Sequence, residues 1–296
     1  MQTKSIGIIV FSLSSAALAL GQTPTGVQRN GGITLLRTET KITVGTAPPV
    51  ESTTDSATGG FISADYTNYT PPSPPPTTTI DPCIVPMTTL PLVRQPPSGL
   101  VTTLLDAGPV LNLTGPNGTK QIPQMRSAYF LQVGGGTALP FPIPGLPGVL
   151  PLYLDPGTYT VDNGSGGADV GAFTATLDVP SPGFVWTNAD ANLTISLAAG
   201  VDIQWSGGDP NTPVVIQGTA ATSTVAGAFT CSVPNTGEFF VTSDVLSMLP
   251  ATPAGPLAAA SLLTVSNLSF ANFSAPGLDV GIFTYGSGSG RSVVYQ

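Results

Sequence analysis

Pro156-Gly157-Thr158-Tyr159-Thr160-Val161 is followed, after a glycine-rich loop, by Phe173-Thr174-Ala175-Thr176-Leu177-Asp178. Tyr159 and Val161 alternate with threonines, as do Phe173, Ala175 and Leu177. A period of two is the mark of a strand with one buried face. The same pattern recurs outward in both directions. Leu111 and Leu113 alternate before the turn Gly115-Pro116-Asn117-Gly118, where Asn-Gly tolerates the positive φ of a tight hairpin. Tyr129-Phe130-Leu131-Gln132-Val133 precedes Gly134-Gly135-Gly136. Val201, Ile203 and Trp205 alternate with Asp202, Gln204 and Ser206. Phe229, Cys231 and Val233 share one face, which turns Cys231 inward.

Composition agrees with this reading. Glycine (35) and proline (31) break helices, and threonine and valine lose side-chain freedom in them. The pattern predicts an all-β fold of antiparallel strands. It forms one large sandwich or two Ig-like units meeting near Pro180-Ser181-Pro182-Gly183. The expected division is a leader at 1–21, a Thr/Pro-rich N-terminal segment at 22–80, a first β-sandwich region at 81–182, and a second, Ig-like one at 183–296. In the N-terminal segment, Gly32-Ile33-Thr34-Leu35-Leu36 and Lys41-Ile42-Thr43-Val44 read as short edge strands. Prolines 71–76 read as extended polyproline II, either a stalk or a connection laid across a domain. Gly134–Gly136 and Gly286–Gly290 read as turns, the second closing the last hairpin. Ser243–Leu249 reads as a helical turn or two, capped by Ser243 or Asp244.

Lys4 precedes an apolar run over 6–20 and the small-residue exit Ala19-Leu20-Gly21, which predicts a cleaved secretory leader rather than a membrane span. No cysteine follows the exit, so no lipid anchor is expected. The expected location is the extracellular medium or the cell envelope. The net charge of −8 and a pI near 4.1 argue against nucleic acid and anionic lipid as partners. Histidine is absent, which excludes Ser-His-Asp and Cys-His hydrolases. Cys83 and Cys231 predict one disulfide in an exported protein; the alternative is a pair of buried free thiols.

Candidate sites are few. Asp162 and Asp169 bracket the glycine loop and are the candidate calcium ligands, against the alternative of an Asx-stabilised hairpin turn. No other cofactor is implied. Asp202, Asp209, Glu238 and Asp244 are the acids that a glycosidase pair would draw on. Tyr66, Tyr69, Tyr129, Tyr153, Trp186 and Trp205 would form a sugar-stacking platform if exposed, and core if not. Asn68, Asn112, Asn117, Asn163, Asn192, Asn267 and Asn272 begin Asn-x-Ser/Thr triplets, which would suggest glycosylation in a eukaryotic secretory pathway; the alternative, and the expectation here, is coincidence in a Thr/Ser-rich chain.

Leu105-Asp106-Ala107-Gly108-Pro109, Gly115–Lys120, Pro156–Val161 and Gly166–Phe173 form a set of phrases with Trp186-Thr187-Asn188, Trp205–Pro210 and Phe229–Pro234. The set resembles a group of secreted bacterial β-sandwich (Ig-like) proteins of uncharacterised activity, over most of 80–285. The resemblance implies a bacterial source and argues against a eukaryotic stalk. It implies no activity, cofactor or catalytic residue. Trp205 and Cys231 suit an Ig-like core, although Cys83 lies upstream of the Ig spacing. The expected role is a non-catalytic structural or adhesive protein. Carbohydrate binding is the alternative, and a carboxylate hydrolase is third. Expected partners are a polysaccharide, or further copies paired through strand edges.

Overall fold

The computed structural model describes residues 25–43, 49–70, 77–89, 99–125, 128–137, 149–222, 225–252 and 261–296. The leader at 1–21 and prolines 71–76 lie outside the described residues. The strands are β1 (Val27–Ile42), β2 (Val50–Asp65), β3 (Thr77–Ile80), β4 (Cys83–Thr89), β5 (Val101–Leu104), β6 (Val110–Gly115), β7 (Gly118–Met125), β8 (Ala128–Thr137), β9 (Gly157–Asp162) and β10 (Thr174–Val179). They continue as β11 (Val185–Trp186), β12 (Thr194–Ile195), β13 (Val201–Ser206), β14 (Val214–Ala221), β15 (Val225–Val233), β16 (Glu238–Val241), β17 (Leu262–Phe273), β18 (Val280–Ser292) and β19 (Val294–Tyr295). Helix α1 is only Ser243–Leu246, and its N-cap is Thr242 rather than Ser243 or Asp244. The class is all-β.

One 14-stranded sheet runs β10-β9-β6-β7-β8-β2-β1-β18-β17-β14-β15-β4-β3, with β5 added to β2. The sheet folds over so that β10 packs on β17 and β18. The space enclosed holds Ile33, Leu35, Phe61, Leu111, Leu113, Tyr129, Tyr159, Val161, Phe173, Leu177, Phe273 and Phe283. A second, three-stranded sheet, β11-β13-β16, belongs to the other buried cluster. There Trp186, Ile203 and Trp205 meet Val214, Ile216, Phe229, Cys231, Leu263 and Val265. Both clusters lie on one face of the long sheet. On β17 the buried residues Leu263, Val265 and Phe273 are all odd-numbered, so they point the same way. Residues 180–183 connect β10 to β11, and β17 and β18 run on through the whole sandwich. Cys83 and Cys231 are bridged, which closes the alternative of free thiols.

Three expectations need correction. The two short edge strands near residues 32 and 41 are one 16-residue strand, β1, in the middle of the sheet. It pairs antiparallel with β2 and parallel with β18, so the Thr-rich stretch at 27–65 is part of the sandwich and not outside it. Neither glycine run is a turn. Gly134–Gly136 lies inside β8, directly after a bulge at Val133; there Gly135 has φ 73° and a Cβ would stand 1.9 Å from the Thr53 carbonyl. Gly286–Gly290 lies inside β18. There Leu36 and Leu268 lean to 3.0 Å from where a Gly286 Cβ would be, so a side chain at this position would push the two leucines apart. The antiparallel rule also has two exceptions, β1 with β18 and β12 with β19.

Candidate functional site

Parity sorts the charges of the long sheet. The charged residues on β8, β2, β1, β18, β17, β14, β15, β4 and β3 are Arg29, Arg37, Glu39, Lys41, Glu51, Asp55, Asp65 and Arg291. All are odd-numbered and stand on the inner, core-bearing side, because Arg37 and Lys41 are in register with Ser287 and Arg291. Six of them, Arg37, Glu39, Lys41, Glu51, Asp55 and Arg291, form a belt of ion pairs between the two apolar clusters, while Arg29 pairs with Asp169 and Asp65 caps the Thr67 N–H. Arg291 Nη2 donates to Glu39 Oε1 at 2.6 Å and its Nε to Asp190 Oδ1 at 3.2 Å. Lys41 Nζ lies 3.3 Å from both Glu51 and Asp190. The Arg291 guanidinium sits over the Trp186 ring at 5.9 Å. The hydrogen bond from Lys41, reinforced by Arg291, holds the Asp190 carboxyl below its usual range. The belt ties the loop carrying Asp190 to β1 and β18; its charges are mutually paired.

The opposite face of these nine strands carries no charged side chain among the described residues. Its rows cross the sheet in register. One is Phe270–Thr284–Thr34–Thr58–Phe130, on β17, β18, β1, β2 and β8. The next is Leu268–Gly286–Leu36–Ser56–Gln132. A third, Thr79–Ile84–Thr230–Gln217–Thr264–Gly290–Thr40–Ser52–Thr137, spans all nine strands. Few hydroxyls here are firmly engaged. Thr264 reaches the Gln217 carbonyl at 3.4 Å and Thr137 reaches Ser52 at 3.2 Å. Phe270 is 63% and Phe130 42% exposed.

The sequence-chosen residues lie elsewhere. Asp162 Oδ1 accepts from Asn112 Nδ2 and from the Gly164 N–H, both at 2.9 Å, in an Asx turn. Asp169 Oδ2 accepts from the Asp106 N–H at 2.9 Å, and Arg29 donates to the Asp169 carbonyl. No group of three or more metal-ligating side chains occurs among the described residues. The loop is organised by Asn163, which is 4% exposed. Its amide donates to the carbonyls of Ala107 and Gly171 and its oxygen accepts from the Phe173 N–H. Asn163→Ala would orphan these buried groups, so it is expected to lower the unfolding free energy by about 2–3 kcal/mol. An unchanged urea midpoint would refute this.

Asp202 and Glu238 stand on the exposed face of the three-stranded sheet, where Gln204 pairs with Glu238 and Asp202 with Phe240. Asp209 caps its own turn by accepting from the Asn211 N–H, and Asp244 lies in α1. The structure therefore brings two of the four acids near one another, on an open face. Tyr129, Tyr153, Trp186 and Trp205 are core, with exposures of 4% or less. Burial pushes the tyrosine hydroxyls of Tyr129, Tyr153, Tyr159, Tyr285 and Tyr295 upward, away from neutral titration. Tyr66 and Tyr69 are half-buried and meet edge to face at 5.5 Å. Of the seven triplet asparagines, Asn112, Asn117, Asn163, Asn192 and Asn267 have side chains hydrogen-bonded within the fold; Asn68 and Asn272 are exposed.

The exposed aromatics, Phe130, Phe240 and Phe270, were not singled out from sequence. The signal for the uncharged face was present as Arg37-Thr38-Glu39-Thr40-Lys41, where charge and hydroxyl alternate with period two. Compared with known protein families, curated proteins and solved structures, the chain matches none. Its likeness to a secreted bacterial group rests on the sequence phrases alone.

Proposed function

We propose that this is a secreted, non-catalytic structural or adhesive protein of the cell envelope or extracellular medium, working through the outer face of its long sheet. One observation carries the reading: every charged residue of nine adjacent strands is turned inward. Solvated sheet faces normally carry charge, which keeps them soluble and discourages association. A face stripped of charge on a chain of net charge −8 is suited to contact rather than to water alone. The disulfide is consistent with an oxidising compartment. Among the described residues no helix is long and apolar enough to cross a membrane. The acids discussed above are spent on turns and ion pairs or stand open, which supports the non-catalytic part.

Charge placed on this face tests the proposal. Thr38 and Ser266 flank Gly288 in one row. The Thr38→Glu/Ser266→Glu variant is expected to sediment at least ten-fold less with envelope fragments of the producing cells than the wild type does, at an unchanged melting temperature. Equal sedimentation would overturn the reading, as would an antiserum that finds the wild-type protein only in cytosol.

A further inference from the structure

We infer that the outer face binds a neutral polysaccharide, laid across the row Phe270–Thr284–Thr34–Thr58–Phe130. The inference rests on the contact-face reading above and names its ligand.

Charge excludes most polymers. With no cation on the face, an acidic polysaccharide, a nucleic acid or an anionic lipid surface gains no attraction there, and the net charge of −8 repels all three. With no anion, a polycation has no pairing partner either. The available chemistry is hydroxyl and amide hydrogen bonding, scattered aliphatic side chains such as Leu36, Leu268 and Ile84, and two aromatic rings. The hydroxyls of Thr34, Thr58 and Thr284 have no protein partner among the described residues. They stand in register on three adjacent strands and are free to exchange water for the hydroxyls of a sugar.

The rings mark the ends of the site. Phe270 and Phe130 are large apolar groups left 63% and 42% exposed in a row otherwise made of threonine. An aromatic ring has a negative face. The weakly positive C–H face of a pyranose fits on it, while the sugar hydroxyls point sideways to the threonines. Four inter-strand steps separate the two rings, about 19 Å at the usual strand spacing. That span suits a chain of several sugars and not a monosaccharide. The adjacent row is smooth because Leu36 and Leu268 close over Gly286. A second copy of the chain fits less well. Interfaces between copies have apolar centres, whereas the centre of this row is three free hydroxyls.

The test is depletion of the full, disulfide-bonded chain from solution by pelleted amorphous cellulose, chitin and starch granules, with alginate beads as the acidic control. At least one neutral polymer is expected to remove the protein, and alginate to leave it. Phe130→Ala/Phe270→Ala is expected to weaken that binding ten-fold or more; both side chains are exposed, so the melting temperature should hold. Thr34→Glu should weaken it comparably. Failure of all three neutral polymers, equal binding by alginate, or full binding by the double phenylalanine variant would each overturn the inference. So would light scattering that shows a dimer dissociated by the same double variant, since the face would then be taken by a second copy. If the neutral polymers fail while Thr38→Glu/Ser266→Glu still releases the protein from envelope fragments, the ligand assignment falls and the contact face stands. If that variant stays bound to the fragments, the contact-face reading falls with it.

Discussion

Asp55→Asn is expected to lower the unfolding free energy by about 3 kcal/mol, the cost of breaking a buried ion pair while Arg37, partly exposed, keeps Asp155 at 3.8 Å. Asp55 is fully buried at the centre of β2. Arg37 holds it with two bonds of 2.7 Å, Nε to Oδ1 and Nη2 to Oδ2. The N–H groups of Tyr153 and Leu154 donate to Oδ2 at 2.7 and 2.8 Å. An asparagine at this site offers one acceptor and turns a donor toward donors. The glycine that follows the β8 bulge serves the same site, because Gly134, in register with Asp55, packs so closely on 151–153 that a Cβ would stand 2.6 Å from the Pro151 carbonyl. Burial alone would raise the Asp55 carboxyl. The Arg37 bonds and charge, with the two backbone N–H groups, outweigh it and hold the carboxyl below the usual range. The native state therefore favours the carboxylate more than the unfolded chain does. The stabilisation is complete above the unfolded value, near 3.9, and is lost as the pH falls through the depressed native value. Urea midpoints measured from pH 7 downward should fall more for the wild type than for Asp55→Asn. Parallel pH curves for the two proteins would refute the assignment.

The strands legible in the sequence are those whose inward positions are uniformly large and apolar. Tyr159 and Val161 in β9, Ala175 and Leu177 in β10, and Ile203 and Trp205 in β13 point to a core of ordinary side chains, so alternation exposes them. The central strands obey other rules. On the inward side of β1 Ile33 and Leu35 enter the apolar cluster, and Arg37, Glu39 and Lys41 follow as the strand leaves it for the ion-pair belt. Read locally, that change looks like the end of a strand. On β2 the inward positions before Phe61 are Asp55, Ala57 and Gly59. Gly59 is small because Leu111 and Tyr129 fill the space its side chain would take. On β18, the inward Phe283 and Tyr285 give way to Ser287 and Ser289 and then to Arg291. The parallel pairing of β1 with β18 joins segments some 250 residues apart and leaves no local mark. The uncharged face was half legible: the alternation of charge and threonine in 37–41 assigns them to two sides. Which side faces solvent depends on pairing, and pairing depends on the strands that were hardest to see.

The Cys83–Cys231 bridge governs the opposite end of the sheet, and Cys83→Ala/Cys231→Ala is expected to cost about 2–5 kcal/mol. The two cysteines face each other directly in the β15–β4 ladder and are buried among Val85, Phe229 and Val233. The bond closes a sequence separation of 148 residues. In the chain-entropy model such a loop restricts the unfolded ensemble by about 5 kcal/mol, which is a ceiling on the effect. The native state gives the bridge a second role. Strands β3 and β4 end the sheet, and β4 is held laterally by β15 alone among its long-sheet neighbours on that side. Without the bond, the edge pair is held by its ladder and by the packing of Val85 and Ile80, so amide exchange should accelerate at 77–89 before it does in β1 or β18. The Tm should fall by roughly 2–4 °C for each kcal/mol lost. Calorimetry and site-resolved exchange on the double-alanine protein separate the two effects. A lower Tm with unchanged relative protection at 77–89 would confine the bridge to the unfolded state. An unchanged Tm would show that the sheet edge holds without it, and would refute the 2–5 kcal/mol expectation.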